Sequence, residues 1–148
     1  MLLPADDKQF AFWTMKRKGM QNIEIAKSLE ISRQAVSRAL ISVNRKIEKI
    51  LLDMADANSI AVLKVSAEKG ILTGRSIPLR CAAFIFISTN HGVQVWYEHE
   101  GDCENCEKYT QCIELLWDYA KELGIKIEKT NDPTKMADEL FKKAEEII

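Results

Sequence analysis

The sequence lacks the features that mark a membrane protein, an exported protein or an enzyme of a familiar class. It contains no apolar run of about 18 residues, the length that a membrane-spanning helix needs. The first residues, MLLPADDKQF, have neither the basic nor the apolar stretch of a signal peptide. No phosphate-binding loop, nucleophile motif or H-E-x-x-H pattern is present. These absences predict a cytoplasmic protein, with no membrane partner, that is not an enzyme.

The chain also lacks an excess of positive charge, since its formal net charge at pH 7 is −1. The charges are nevertheless unevenly distributed. Residues 1–58 contain ten Lys and Arg against seven Asp and Glu, whereas residues 59–148 contain eleven against fifteen. A chain of 148 residues can form one domain or two small ones. The asymmetry predicts two domains with different partners, 1–58 and 59–148.

The stretch NIEIAKSLEISRQAVSRAL, residues 22–40, has the pattern of two helices joined by a tight turn. Ile25, Ala26 and Leu29 share one face of the first helix, and Ile31 fills the turn. Ser32 stands where an N-cap residue is favoured. The pattern predicts a helix-turn-helix that enters double-stranded DNA, because Arg and Gln can bond base edges and Ser can contact phosphate. We assign DNA contact to Ser32, Arg33, Gln34, Ser37 and Arg38.

A first helix is predicted at residues 5–18, ending at Gly19. Lys16, Arg17 and Lys18 lie at its C-terminal end, where they either complement the helix dipole or contact phosphate.

Residues 3–45 as a whole resemble the DNA-binding domain of LuxR-type regulators and of sigma-factor region 4. Gly19, the Glu24-Ile25-Ala26 helix and the Ile31-Ser32 turn carry the resemblance. It implies three helices, of which the third contacts DNA. This chain has Glu30 where that family usually has glycine, so the turn must accept a strained backbone or take a different shape.

No Gly or Pro occurs from residue 32 to residue 58, so the third helix is predicted to continue far beyond the motif. Apolar residues recur along it at spacings of four and three, at Val36, Leu40, Val43, Ile47, Ile50, Met54 and Ala57. This seam predicts a homodimerisation helix, which would hold two recognition helices about 34 Å apart on DNA. The other interpretation is that the helix packs on its own C-terminal domain.

The remaining residues predict a small α+β domain with an antiparallel hairpin. Strands are predicted at 61–66, 80–88 and 93–99, the second being apolar on both faces and therefore central. Gly70, Gly74 and Pro78 are interpreted as turn residues, and 125–128 as a short edge strand. Helices are predicted at 107–123, ending at Gly124, and from Pro133 to the C-terminus with Asp132 as N-cap.

Three of the four cysteines lie in the loop HEGDCENCEKYTQC, residues 99–112. Cys103, Cys106 and Cys112 follow the spacing C-x2-C-x5-C, in which two thiolates bind one metal centre and a third arrives from the next helix. The dipole of that helix should lower the pKa of the Cys112 thiol. In a reducing cytosol such clusters bind metal more often than they form disulfides, although a Cys103–Cys106 disulfide and simple packing remain alternatives.

The metal requires a fourth ligand. For zinc the candidates are Cys81, His91 and His99, whereas an iron–sulfur cluster needs sulfur and leaves only Cys81, which could instead be a buried core thiol. Cys81 with the trio resembles the ligand pattern of the fumarate and nitrate reduction regulators, although here the distant cysteine precedes the other three. The resemblance implies an oxygen-labile 4Fe–4S cluster and extends to the ligands alone.

These features together predict a transcription regulator whose redox-sensitive 4Fe–4S cluster modulates DNA affinity. The helix that follows the cysteine loop is expected to pack near the long dimer helix. One alternative is a regulator with a structural zinc ion. Another is a small-molecule pocket lined by Trp96, Tyr97 and Trp117. An enzyme using His91, His99, Glu98 or Glu100 as acid–base groups has no accompanying motif.

Overall fold

The computed structural model describes residues 7–101 and 103–148, which form five α-helices and one four-stranded antiparallel sheet. The predicted α+β class is therefore confirmed. The elements in chain order are α1 (Asp7–Arg17), α2 (Asn22–Leu29), α3 (Arg33–Ala57), β1 (Ile60–Ser66), β2 (Ile71–Ser76), β3 (Cys81–Ser88), β4 (Gly92–Tyr97), a 3-10 turn (Cys103–Asn105), α4 (Tyr109–Leu123) and α5 (Pro133–Glu146). Within these ranges, no helix has the length and apolar character that crossing a membrane requires.

The sheet has the order β1-β2-β3-β4, so β3 lies between two neighbours as its sequence predicted. Side chains along a strand alternate between the two faces. Ala83, Ile85 and Ile87 of β3 join a buried cluster with α1, α2 and α3, whereas Phe84 and Phe86 join a second cluster with α4 and α5. The molecule therefore has three layers, with the sheet in the middle.

Trp13 of α1 anchors the helical layer to the sheet. The side chain is completely buried, and its indole Nε1–H donates a 2.7 Å hydrogen bond to the carbonyl of Ala67. Gly70 lies against the indole with a φ of +69°, and a Cβ there would lie 2.6 Å from the ring. Gly70 is therefore required both by its backbone conformation and by the close approach of Trp13.

The long uninterrupted helix is present as α3, but much of its apolar seam is covered within one chain. Val36, Leu40, Val43 and Ile47 are buried against the other two helices and the sheet, and the same stripe continues through Leu51 and Ala55. Ile50 and Met54 are half-buried and Ala57 is exposed. Packing on its own chain, the second interpretation of the seam, accounts for these positions, and the first four cannot also face a second copy.

The predicted boundary at residue 58 falls between α3 and β1. Buried side chains from both sides of that boundary nevertheless belong to one cluster, which extends from Phe12 through Val43 and Ile60 to Ile87. The first three helices and the sheet therefore share a core.

Two sequence interpretations in the second half were wrong. The stretch containing Gly74 is not a turn but the strand β2, in which a Cβ at Gly74 would lie 2.7 Å from Ile60 Cγ2. Residues 125–128 form no strand, because their polar backbone groups pair with α5. The carbonyl of Lys126 accepts a bond from Lys143, and the Glu128 N–H donates to Glu139.

Helix ends differ from the predictions by only a few residues, as is usual for frayed ends. The helix predicted from residue 107 begins at Tyr109, and the last helix ends at Glu146. The predicted start of the first helix, residue 5, lies outside the described residues.

Replacing Ile47 by Ala should lower the free energy of unfolding by about 2–5 kcal/mol, because it leaves a cavity in the core of one chain. Ile41→Ala is the matched control on the same helix, since Ile41 is 55% exposed, and it should change stability by no more than about 0.5 kcal/mol. Urea denaturation at several protein concentrations measures both. An Ile47→Ala effect that disappears on dilution would show that the seam is instead an interface between chains.

Candidate DNA interface and candidate metal centre

The turn between α2 and α3 takes the strained form. Glu30 has φ 54° and ψ 44°, in the left-handed region, and its N–H points back to the carbonyl of Lys27 at 3.4 Å. The N–H of Ile31 donates to the carbonyl of Ala26 at 3.0 Å. Ser32 is the N-cap of α3 as predicted, since its hydroxyl accepts a 3.1 Å bond from the N–H of Ala35.

The first turns of α3 present an exposed polar surface. Arg33, Gln34 and Arg38 are exposed, as the DNA-contact assignment requires, and so is Ser32. Ser37 is different, because it is half-buried and its hydroxyl accepts a 3.2 Å bond from the Asn22 amide. Ser37 therefore joins α3 to α2.

The exposed surface extends one turn further than the sequence assignment. Ile41 and Arg45 are exposed, and with Gln34 and Arg38 they follow spacings of four, three and four along one face of α3. The same spacing in the sequence could have identified them. Arg45 adds a cation to this exposed face.

Arg17 is not available to phosphate, contrary to one interpretation of the basic end of α1. It is only 2% exposed, and its guanidinium turns inward, where one terminal nitrogen donates to the carbonyl of Ile87 at 2.7 Å and the other to Thr89 Oγ1 at 3.1 Å. Its Cζ also lies 4.4 Å from the centre of the Trp13 ring. Of the three neighbouring cations, only Lys18 is fully exposed.

The same β3–β4 turn is held from the other side of the sheet by α4. Glu122 Oε1 accepts bonds from the N–H of Thr89 at 2.7 Å and of Asn90 at 3.3 Å. Burial lowers the pKa of Arg17, while the nearby charges of Tyr119 and Glu122 raise it. We call Arg17, Thr89, Tyr119 and Glu122 the polar junction, because they connect α1 to α4 across the end of the sheet.

Two members of the polar junction, Arg17 and Tyr119, are buried, whereas Glu122 is half-buried and Thr89 is exposed. Tyr119 is fully buried with its ring 4.2 Å from that of Phe86, and burial raises the pKa of its hydroxyl. In the part of the chain that the structure describes, Arg17 Nε, the Tyr119 hydroxyl and Glu122 Oε2 are buried atoms without a hydrogen-bond partner. Displacing one of these groups would therefore disturb the others, since low-dielectric surroundings strengthen their mutual interactions.

The three clustered cysteines lie on consecutive tight turns. The carbonyl of Cys103 accepts from the N–H of Cys106 at 3.1 Å, and the carbonyl of Cys106 accepts from the N–H of Tyr109 at 3.1 Å. Cys112 lies in the first turn of α4, where its N–H donates to the Lys108 carbonyl at 2.9 Å. Cys103 and Cys112 are half-buried and Cys106 is exposed.

The expected lowering of the Cys112 pKa by the helix dipole is not found. Burial raises the pKa of Cys112, and the neighbouring Cys106 and Cys103 raise it further. Burial also raises the pKa of Cys103, with smaller contributions from Asp132 and Cys106. These thiols are therefore close enough to oppose each other's ionisation, which is the situation that a bound cation relieves.

Asp132, identified from the sequence only as an N-cap, lies beside this group. Its Oδ1 caps α5 by accepting from the Thr134 N–H at 3.0 Å and the Thr134 hydroxyl at 2.6 Å. Asp132 raises the pKa of the Cys103 thiol and the Thr134 backbone lowers it, so the cysteine loop lies near the start of α5. No sequence signal could have revealed this proximity, because it depends on how the cysteine loop meets the start of α5.

Cys81 lies on the sheet rather than in the loop that contains the other three cysteines. It is the first residue of β3 and pairs with Ser76 on β2. By strand alternation its side chain shares a face with Ala83, the face that α3 covers, whereas Cys112 packs against the cluster on the opposite face.

The two histidines have different surroundings. His91 Nε2 lies 2.8 Å from Asp118 Oδ2, an ion pair when the imidazole is protonated. His99 is exposed, and its Nδ1 lies 2.7 Å from the Tyr97 carbonyl. It lines an open cleft of about 820 Å³ together with Asp132, Asp138 and other polar residues.

The aromatic residues proposed for a small-molecule pocket are not assembled into one. Trp96 packs in the cluster of α4 and α5, whereas Tyr97 packs on the other face of the sheet. Trp117 has Lys121 and Lys129 over its ring at 5.3 and 5.5 Å. A cavity of about 420 Å³ between β4 and α4 is lined by Trp96 and Cys112 among other residues.

The donor set fits a metal in its chemistry. Three thiols from one loop match sulfur ligands of zinc, and they are three of the four sulfurs expected for a 4Fe–4S cluster. Within 7–101 and 103–148, no three His, Cys, Asp or Glu side chains are already arranged to hold an ion. Metal binding would therefore have to draw the loop together, as coupled binding and folding does.

Comparison with family models, with curated proteins and with solved structures gave no significant match for this chain.

Replacing Glu30 by Gly should raise the free energy of unfolding by about 0.5–1 kcal/mol, because glycine removes the left-handed strain at some cost in chain entropy. Thermal or urea unfolding measures the change. Ser28→Gly is the matched control in the same exposed stretch, where glycine should destabilise α2. A loss of stability in Glu30→Gly would contradict the left-handed conformation of the turn.

Proposed function

We propose that the protein is a sequence-specific DNA-binding transcription regulator, and that the first turns of α3 enter the major groove of duplex DNA. The observation that carries this proposal is the exposed surface of Arg33, Gln34 and Arg38 on a helix whose N-terminus is capped by Ser32 and whose opposite face is buried. A recognition helix needs this combination of rigid support and outward polar side chains.

The exposed residues divide into two roles by their chemistry. Arg33, Gln34 and Arg38 can bond base edges bidentately, which gives sequence specificity. Arg45 and Lys18 are exposed cations further from the helix N-terminus, suited to phosphate. Ser37 stabilises the α2–α3 contact through Asn22 and is no longer among the proposed DNA contacts.

We retain a homodimer in the proposal, because two-fold assembly matches paired half-sites on DNA. The buried half of the α3 seam cannot supply its interface. The large apolar side chains that remain exposed are concentrated on β1 and the β2–β3 turn, at Val62, Leu63, Val65, Ile77 and Leu79. β1 is also an edge strand of the sheet, so its outer backbone edge is open to pairing.

Replacing Arg33 and Arg38 by Ala should weaken binding to a selected operator by about 1–3 kcal/mol for each arginine that contacts a base. Lys49→Ala is the matched control, since Lys49 is an exposed cation on the same helix far from its N-terminus. DNA titrations at one fixed salt concentration provide the measurement. If the double variant binds the operator as tightly as the wild type, the assignment of α3 as the recognition helix is wrong.

We further propose that Cys103, Cys106 and Cys112 hold a redox-sensitive iron–sulfur cluster that modulates DNA affinity. A bound 4Fe–4S cluster would supply an oxygen-labile centre. The alternative is a zinc ion, which an oxygen ligand would favour and which would supply a structural crosslink. The support from this chain is the shared environment of the three thiols at the start of α4.

The route from the cysteines to the DNA-binding helices differs from the sequence expectation. α4 packs on the face of the sheet opposite α3, so it is not beside the long helix. Instead, α4 is connected to the helical layer through the polar junction. Glu122, near the C-terminal end of α4, holds the β3–β4 turn, and Arg17 of α1 holds the same turn from the other layer. A shift of α4 on metal loss would thus be felt at α1, which packs on α3.

Operator affinity should differ by about tenfold or more between anaerobically loaded protein and the same protein after exposure to air, the usual size of allosteric coupling. Cys106→Ala should bind DNA as the air-exposed form does, because it cannot assemble the site. Parallel DNA titrations with iron and sulfide analysis test this. Equal affinities of the loaded, oxidised and substituted forms would leave the cysteines without a regulatory role.

Arg17→Met tests the route within the same experiment. It should reduce the difference between loaded and air-exposed protein, because it removes the bonds to Ile87 and Thr89. Lys18→Met is the matched control, since it removes the same charge from an exposed position one residue away. If Arg17→Met is unstable, Glu122→Ala breaks the junction from α4, because it removes the oxygen that accepts from the Thr89 and Asn90 N–H groups. A full affinity difference in folded junction variants would contradict this route.

A further inference from the structure

Two of the four cysteines lie on one tight turn. The 3-10 turn Cys103–Asn105 is closed by a hydrogen bond of 3.1 Å from the N–H of Cys106 to the carbonyl of Cys103. A 3-10 helix has about three residues per turn and rises about 2 Å per residue, so residues three apart are eclipsed, with their Cα atoms about 6 Å apart. The side chains of Cys103 and Cys106 therefore leave the backbone on the same side.

This spacing is the one that a disulfide requires. Disulfides join residues whose Cα atoms lie about 4.4–6.8 Å apart, most often about 5.5–6 Å. Both thiols are free in this structure, and Cys106 is exposed while Cys103 is half-buried, so a small oxidant in solution can reach the pair. A bond between the two sulfurs can therefore form without rearranging the turn.

Cys112 is less suited to pair with either of these thiols. It belongs to α4, where its N–H donates to the carbonyl of Lys108 at 2.9 Å, and its side chain packs against the buried cluster of α4 and α5. Pairing would have to withdraw its sulfur from these apolar contacts, which costs dispersion energy. Cys81 lies on β3, where strand alternation places its side chain on the opposite face of the sheet.

We propose that Cys103 and Cys106 form a reversible disulfide when hydrogen peroxide reaches the metal-free protein. The exposed Cys106 thiolate attacks one peroxide oxygen, the O–O bond breaks, and the departing hydroxide takes up a proton to leave as water, so that Cys106 becomes a sulfenic acid. The Cys103 thiolate then attacks the Cys106 sulfur, the S–O bond breaks, and a second water leaves. The two thiols lose two electrons and two protons, which reduce the peroxide to two molecules of water.

The disulfide and the proposed metal centre exclude each other, because the disulfide uses two of the three clustered sulfurs. The disulfide does not depend on that centre, since it forms from two thiols and an oxidant alone. The same turn leads directly into α4, because the carbonyl of Cys106 accepts from the N–H of Tyr109, the first residue of that helix. Oxidation would therefore act at the start of the helix whose other end holds the β3–β4 turn.

The test treats the reduced, metal-free protein with hydrogen peroxide at mildly alkaline pH, where free thiols are partly ionised. Remaining thiols are then alkylated under denaturing conditions and counted by mass spectrometry. The wild type should fall from four alkylated cysteines to two. Peptide mapping should place the disulfide between Cys103 and Cys106, and dithiothreitol should restore all four thiols.

Single serine variants identify the pair and the attacking sulfur. Cys103→Ser and Cys106→Ser should form no disulfide, and Cys103→Ser should instead accumulate a sulfenic acid at Cys106 that dimedone traps. Cys112→Ser is the matched control from the same loop, because it should still lose two thiols on oxidation. Cys81→Ser should behave in the same way.

Retention of four thiols by the peroxide-treated wild type would overturn this inference, and so would a disulfide that includes Cys112 or Cys81. The metal centre fails by a different result. Reduced protein that binds neither iron–sulfur cluster nor zinc would refute that centre, while the loss of two thiols to peroxide in the same preparation would still support the disulfide.

Discussion

The architecture depends on one strand that must be covered on both faces. β3 directs Ala83, Ile85 and Ile87 toward one layer of helices and Phe84 and Phe86 toward the other. Neither half of the chain can bury these side chains alone, because each supplies helices for only one face. Helices α1–α3 and the cysteine-bearing segment are thereby held on opposite sides of a shared, close-packed sheet, and close-packed interiors transmit displacement.

The polar junction provides a second, more specific connection. A buried guanidinium costs free energy unless its hydrogen bonds are made, so Arg17 constrains α1 relative to the Ile87 carbonyl and Thr89. Glu122 constrains α4 relative to the same turn. The two helices hold one short turn from different layers. A change in the position of α4 therefore alters the energy of the hydrogen bonds between that turn and Arg17 of α1. A coupling of about 1–3 kcal/mol requires no more than one such bond to change.

Sequence patterns predicted the elements whose periodicity is strong, including the length of α3, the central strand β3 and the cap at Ser32. They failed where tertiary contacts override local preference. Gly74 by itself predicts a turn. It nevertheless lies within β2, at a position where the neighbouring strand leaves no space for a side chain. The heptad seam of α3 could not reveal whether its partner belongs to the same chain. The effect of Asp132 on the pKa of Cys103 likewise depends on how two distant segments meet.

We propose that the cysteine loop and the helices α1–α3 are coupled through the sheet and the polar junction. Amide hydrogen exchange, compared between the metal-free and the metal-loaded protein, tests it most directly. We expect slower exchange on loading in the cysteine loop and α4, and also in the β3–β4 turn and α1 across the sheet. Protection confined to the cysteine loop and the start of α4, with α1 and the turn unchanged, would contradict the coupling.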